Sequence, residues 1–326
     1  MNNKSNERFL LVGGAGFIGS KIAANLVDQG QKVYIMDKFV QFISPMKSDY
    51  NNTIHDRFHT ILDKVQIIRG DASYIDDVER AFEISNPNRI IHLANMPISK
   101  LSNVHVYEAI DSTINTTVNL INQCKKLNNL KRFVYISSSM VYGDFKYTPA
   151  DEEHPQNPKG VYGTSKLAGE KFTQGLCLEF DIPFSIVRPS AVYGPTDLNM
   201  RVSQIFIDNA INNKPIIMKG GKEIKLDFTY IEDVANGIIL VANHENSIGE
   251  IFNITYGQGR SLYDFVEILK KYIPDLEYRS ESPDQTIPLR GSLSIEKAKK
   301  LIGYLPKFSL EEGIDNYYKF KIKGNK

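Results

Sequence analysis

The sequence predicts an α/β protein: a Rossmann-type, doubly wound parallel sheet with a smaller C-terminal substrate-binding lobe. Three observations carry this. Short β-branched runs alternate with helical patterns through the first half. The runs are nearly continuous in apolar residues, as expected when both sheet faces are covered. A glycine-rich turn joins the first run to the first helical pattern.

Arg8–Val12, Lys32–Met36, Val65–Arg69, Arg89–Leu93 and Arg132–Ser137 read as strands. Gly16–Gln29, Ile75–Ile84, Val106–Leu127 and Gly160–Phe180 read as the helices between and after them. In the third helix Ile110, Ile114, Val118 and Ile121 recur at helical spacing and give it one apolar face. Beyond the strand Phe184–Arg188 the pattern loosens, with prolines at 189, 195 and 215 and glycines at 220 and 221. Helical patterns at Ile231–Ala242, Leu262–Tyr272, Ile295–Leu301 and Leu310–Phe320 fill the end. The expected division is 1–188 for the sheet domain, with a return segment near 227–256, and 189–326 for the lobe. Lys38–Thr60 lacks a period and reads as a long loop, of a length that is often functional.

Length and composition agree. At 326 residues the chain suits two domains, or one with an appended lobe. It is 42% hydrophobic and 24% charged, which disfavours disorder and fibrous repeats. Lys+Arg 39 against Asp+Glu 38 leaves a net charge of +1, so nucleic acid and anionic membrane are poor partners. No apolar run reaches the roughly 18 residues of a membrane span. The polar start and the brief Phe9–Val12 run do not make a signal segment. Cys124 and Cys177 are too few for a disulfide framework and are expected as buried, reduced thiols of a cytoplasmic protein.

The glycine turn is the first chemical signal. Gly13-Gly14-Ala15-Gly16-Phe17-Ile18-Gly19 lies between strand and helix, where a dinucleotide needs close backbone approach and free amides at a helix N-terminus. Asp37, ending the second strand, is placed to accept from a ribose 2′-hydroxyl and repel a 2′-phosphate, favouring NAD over NADP. Lys38 beside it weakens that discrimination. The plain alternative for Asp37 is a solvated strand end.

The second signal is Tyr162-Gly-Thr-Ser-Lys166, a phenol and an ammonium on one helix face. An alcohol yields hydride at neutral pH only if its proton also leaves, and a tyrosine with a pKa near ~10 is a poor base. A neighbouring cation and the oxidised cofactor favour phenolate. A hydroxyl from Ser137-Ser138-Ser139 can hold the substrate oxygen against it. His55 and His59 read as a solvent-facing pair, His92 as packed core, and no metal is expected.

The spacing Gly-x-x-Gly-x-x-Gly resembles the fingerprint of the extended short-chain dehydrogenase/reductases. Asp71 with Ala72, and Leu93-Ala94-Asn95 after the fourth strand, resemble that family's further cofactor-lining residues. The resemblance places the catalytic hydroxyl on Ser138 and continues through Arg188-Pro189, Val192-Tyr193-Gly194-Pro195, Asp227-Phe-Thr-Tyr230, Asp233 and Leu310-Glu-Glu-Gly313. It implies a cytoplasmic, homodimeric, NAD-dependent enzyme acting on a nucleotide sugar at C4, either an epimerase or a dehydratase. The cofactor residues it implies are Gly13, Gly16, Phe17, Ile18, Gly19, Asp37, Lys38, Asp71, Ala72, Leu93, Ala94, Asn95, Tyr162, Lys166 and Arg188. Ser139 and Met140 stand where related dehydratases and decarboxylases carry acids, so the chemistry is expected to stop at hydride transfer.

A sugar-nucleotide 4-epimerase is the leading reading. A C4 dehydrogenase or ketoreductase, for example on a GDP-linked heptose, is the alternative. Ala191, Leu226 and Thr113 replace residues usual in UDP-galactose 4-epimerases, which leaves the sugar and base open. Ser139, Met140 and Tyr193 are expected at the sugar, with Lys225 and Arg290 on the diphosphate. The rivals from other classes are a catalytically silent NAD-binding regulator and a reductase of small carbonyl compounds.

Overall fold

The computed structural model describes residues 7–40, 49–97, 99–284 and 286–324. Its centre is a seven-stranded sheet. Six strands come in chain order: β1 (Arg8–Val12), β2 (Lys32–Asp37), β3 (Val65–Arg69), β4 (Arg89–His92), β5 (Arg132–Ile136) and β6 (Phe184–Pro189). The seventh, Ile251–Ile254, arrives after the chain has visited the lobe and pairs parallel with β6. Across the sheet the order is Ile251–Ile254, β6, β5, β4, β1, β2, β3, all parallel. Strand order reverses beside β1, opening a crevice at the carboxyl ends where such sheets bind ligands.

The sequence explains the layers. All of β5 and β6 is buried, including the polar Arg132, Ser185 and Arg188, which hydrogen-bond within the fold. β3 departs from that expectation: it is the sheet edge, and Gln66, Ile67 and Arg69 are exposed. On one face α1 (Phe17–Asp28) packs Ile22, Ala23 and Leu26 into the core shared with Val234 and Ile238 of the helix Ile231–Asn243. Full burial of each large apolar side chain contributes about 1.5–3 kcal/mol. Polar bonds fix the register of this contact: Asn25 Nδ2 donates to Glu232 Oε1 at 2.8 Å, and Lys21 pairs with Glu232 at 2.6 Å.

Three elements differ from the sequence reading. The loop Lys38–Thr60 contains a helix, Tyr50–Phe58; its residues 41–48 lie outside the described residues. The helix foreseen over Val106–Leu127 is interrupted by a π-helical turn at Asp111–Asn115. There Thr116 Oγ1 donates to Asp111 O at 3.1 Å and Thr117 Oγ1 to Thr113 O at 2.6 Å, side-chain competition that bends helices. The lobe also gains a helix at Val202–Ile211, whose buried Ser203, Phe206, Ile207 and Ala210 follow helical spacing.

The lobe is built from short pairs: Val192–Tyr193 with Thr229–Tyr230, Lys225–Asp227 with Gly259–Ser261, and Ile216–Lys219 with Tyr278–Glu281. Asp227, fully buried, organises it by accepting from Leu293 N at 3.0 Å, Gly257 N at 3.2 Å and Thr255 Oγ1 at 3.2 Å. This bond set hangs the C-terminal segment around Arg290 beside the sheet crevice.

Candidate active site

A cleft of about 520 Å³ runs along the carboxyl ends of β1, β2, β4 and β5 and under the lobe. One end is the glycine loop. Gly13 sits at φ +79°, and a Cβ there would lie 2.6 Å from the Ala94 backbone nitrogen. At Gly19 a Cβ would lie 2.6 Å from Gly14 Cα. Both positions therefore require glycine. Beyond the loop, α1 presents its N-terminus to the cleft, a setting suited to a phosphate.

Asp37 closes this end. Its carboxylate accepts from Ala15 N at 3.0 Å and Phe39 N at 2.8 Å; burial raises its pKa and these bonds oppose the rise. Lys38, instead of standing free, pairs with Asp71 at 3.3 Å. Burial works to raise the Asp71 carboxyl, but bonds from Ser73 and the Lys38 charge hold it below the usual range. Gly16, Phe17, Ile18, Ala72, Leu93, Ala94 and Asn95 line the same stretch of wall. With backbone amides at a helix N-terminus, a carboxylate at the end of β2 and an apolar slot, this end fits a dinucleotide.

At the other end stand Ser138, Tyr162 and Lys166. The helix Gly160–Glu179 aims the phenol and ammonium into the cleft, and Ser138 follows the end of β5. Burial raises the Tyr162 pKa; Arg201, hydrogen bonds from Ser138 and Asn95, and then Arg290 pull it back. Lys166 is buried, which pushes its pKa down to about 7. Its Nζ donates to Ile136 O at 2.7 Å. With its amide turned to satisfy both ends, Asn95 accepts from Lys166 Nζ at 2.9 Å and donates to Leu93 O at 3.1 Å.

The sugar-side residues divide. Met140 and Arg290 line the cleft. Arg290 Nη1 donates to Ser139 Oγ at 3.3 Å, and burial lowers its pKa to about 10. Ser139 lies fully buried behind the wall, donating to Ser190 Oγ at 3.1 Å, so it supports Arg290 instead of facing the cleft. Tyr193 is a correction: it is fully buried in an aromatic cluster with Phe228, Tyr230 and Phe265. Lys225 is another, being exposed at the start of its strand and away from the cleft wall.

Arg188 also leaves the site. Its fork is consumed by Glu170, through Nε at 2.9 Å and Nη2 at 2.7 Å, and by Tyr142 and the Glu152 carbonyl. Glu170 also accepts from Ser137 Oγ at 2.5 Å, so this buried pair ties the Tyr/Lys helix to β5 and β6. Removing one partner of such a pair costs about 3–5 kcal/mol.

His92 is packed core, its Nε2 at 2.9 Å from Thr117 Oγ1 and its pKa pushed down to about 3 by burial. His55 and His59 are exposed and stacked, with ring centroids 5.2 Å apart. Cys124 and Cys177 are free and buried. No helix among the described residues is long and apolar enough to cross a membrane.

Two cleft residues escaped sequence reasoning. Arg57, on the helix Tyr50–Phe58, donates to Ala15 O at 2.8 Å and Thr196 O at 2.6 Å. Arg201 precedes the helix Val202–Ile211 and pairs with Asp197 at 2.7 Å. The helical spacing of Ser203, Phe206, Ile207 and Ala210 was the available signal for Arg201; nothing in the unpatterned loop marked Arg57.

Residues 9–255 match the NAD-dependent epimerase/dehydratase family. A Methanocaldococcus jannaschii protein named "Putative UDP-glucose 4-epimerase" is 30% identical over 331 residues, spanning 97% of this chain and 99% of its own. Mouse dTDP-D-glucose 4,6-dehydratase is 28% identical, covering 94% of this chain and 86% of its own. The crystal structure of UDP-glucuronic acid 4-epimerase from Bacillus cereus, in complex with UDP-glucuronic acid and NAD, superposes with a TM-score of 0.88. It is 27% identical and covers 98% of this chain and 99% of its own.

Proposed function

Since the chain belongs to the NAD-dependent epimerase/dehydratase family, we propose that it is a sugar-nucleotide 4-epimerase. NAD is its cofactor, and the glycine loop, the α1 N-terminus, Asp37 and Asp71 would hold it. When bound, NAD supplies a hydride acceptor and donor.

One observation carries the choice of chemistry. Among the described residues lining the cleft, the only carboxylates are Asp37 and Asp71, both at the adenosine end. Around the phenol the wall offers Ser138, Met140, Asn95 and cations. A hydroxyl and a thioether cannot take a carbon-bound proton, so loss of water across C5–C6 lacks its base. Tyr162 can take the proton of the C4 hydroxyl and return it, while Ser138 holds that oxygen. Lys166, bonded to Ile136 O, lies one turn along the helix from Tyr162, where its protonated form would favour the phenolate. Arg290 is one of the cations lining the cleft, and its planar fork would suit the substrate diphosphate.

The homologue named for UDP-glucose and the structural neighbour holding UDP-glucuronic acid support a nucleotide-linked hexose. Exposed Val104, Val106, Tyr107, Phe172 and Leu178 around the two long helices support a homodimer as part of the same proposal.

The test is incubation of purified protein with UDP-, GDP- and dTDP-sugars, following reduction of bound cofactor and inversion at C4 by NMR. The proposal expects C4 inversion with little net reduced cofactor; accumulation of keto-sugar with reduced cofactor would instead establish the dehydrogenase. Tyr162→Phe should retain NAD binding and lose turnover by roughly two to four orders of magnitude. Equal rates in the two proteins would dismiss the assignment.

A further inference from the structure

The Lys166 ammonium is buried, and its three hydrogens need oxygen partners. One goes to Ile136 O at 2.7 Å. A second goes to the side-chain oxygen of Asn95 at 2.9 Å. A third remains for whatever occupies the cleft, whose wall both residues line.

Asn95 is itself anchored. Its amide nitrogen donates to Leu93 O at 3.1 Å, so the oxygen cannot turn from the ammonium without losing both bonds. Leu93 is held in turn. Its N–H donates to Val12 O at 2.8 Å, and its carbonyl carbon would lie 3.0 Å from a Cβ placed on Gly13. One short side chain thus links the ammonium at the reaction end to backbone packed against the glycine loop.

The other titratable groups around Lys166 come from three elements. On its own helix Tyr162 lies one turn before it and Glu170 one turn after, with the Glu170 carboxylate shared by Arg188 and Ser137. His92 on β4 stays neutral, its pKa pushed down to about 3 by burial. On β5 the Tyr135 ring centre stands 5.4 Å from Nζ, and burial keeps that phenol protonated.

We infer that Asn95 is a positioning residue for the reaction: anchored on Leu93, its amide oxygen fixes the Lys166 ammonium one helical turn from Tyr162 and favours its charged form. The inference rests on the function proposed above. Its sign follows from the bond. Burial pushes the Lys166 pKa down to about 7, and an accepting oxygen opposes burial because it bonds an ammonium more strongly than an amine. Truncating Asn95 therefore lowers that pKa, and a carboxylate at the same atoms raises it.

The experiment titrates Lys166 by NMR of the lysine Cε carbons in the full-length, NAD-bound protein. Wild type, Asn95→Ala and Asn95→Asp are compared, and Lys166→Arg, which lacks the signal, assigns it. Turnover, KM and NAD affinity are measured alongside, with whichever sugar nucleotide the wild type turns over. Asn95→Ala should lower the Lys166 pKa by about 1 and cut kcat roughly tenfold, with KM and NAD affinity within about twofold. Asn95→Asp keeps the size of the side chain and should move the pKa the opposite way.

A Lys166 pKa that ignores both substitutions overturns the inference. So does a shifted pKa with unchanged kcat, since the amide would then position nothing that the reaction uses. Weakened NAD binding with kcat kept at saturating cofactor overturns it as well, making Asn95 a cofactor contact only. A wild type inert toward every sugar nucleotide defeats the parent reading instead, and is told apart because the titration needs no substrate.

Discussion

The two ends of the cleft are built in opposite ways. The dinucleotide end comes from contiguous chain: β1, the glycine loop, α1 and β2 span residues 8 to 37 and bring Gly13, Gly19 and Asp37 together by local geometry. The opposite end is gathered from Ser138, Tyr162, Arg201 and Arg290, which come from widely separated parts of the chain. Local assembly leaves a spacing that can be read along the chain. Assembly from afar leaves single residues whose roles depend on packing.

That difference can be tested by perturbing each end alone. The largest effect is expected at Gly13→Ala, since the left-handed φ and the Ala94 backbone leave a methyl no room. NAD affinity, measured by titration, should fall on the order of 100-fold. At the opposite end, Arg290→Ala should raise KM roughly tenfold or more with NAD affinity kept, because a half-buried charged donor is removed. Lys225→Ala, on an exposed strand end, should change KM by less than about twofold. An equal effect from the two substitutions would erase the distinction between cleft cation and surface cation. The smallest effect is Asp37→Asn, where NADP should gain on NAD by about several-fold in competition binding, as the carboxylate repelling a 2′-phosphate is lost. An unchanged preference would remove the ribose role.

The contrast also explains what could be read from the sequence. The strands and the Tyr162/Lys166 pair were legible because periodicity and i,i+4 spacing are local rules. The seventh strand was anticipated only as a return segment near 227–256. Arg188 looked like a site residue from its motif, yet its fork faces Glu170. Tyr193 sits in the same stretch and turns into the aromatic core. Lys225 and Arg290 were indistinguishable as isolated cations; the bonds of Asp227 to Leu293 and Gly257 decide which is drawn toward the cleft. Arg57 and Arg201 were missed because their partners, Ala15, Thr196 and Asp197, are set by tertiary packing.

The seventh strand has a consequence for how the chain reaches its native state. Ribosomal synthesis would release residues 8–189 well before Ile251–Ile254 exists, leaving β6 with a bare hydrogen-bonding edge. Arg132 and Ser185 would also wait, since Ser247 supplies their partners: Arg132 Nη1 donates to Ser247 Oγ, and Ser185 Oγ to Ser247 O at 2.6 Å. The nascent sheet thus remains adhesive until the lobe has been threaded and the chain returns. A truncation at the apparent domain seam would yield an aggregating fragment in place of a stand-alone dinucleotide module.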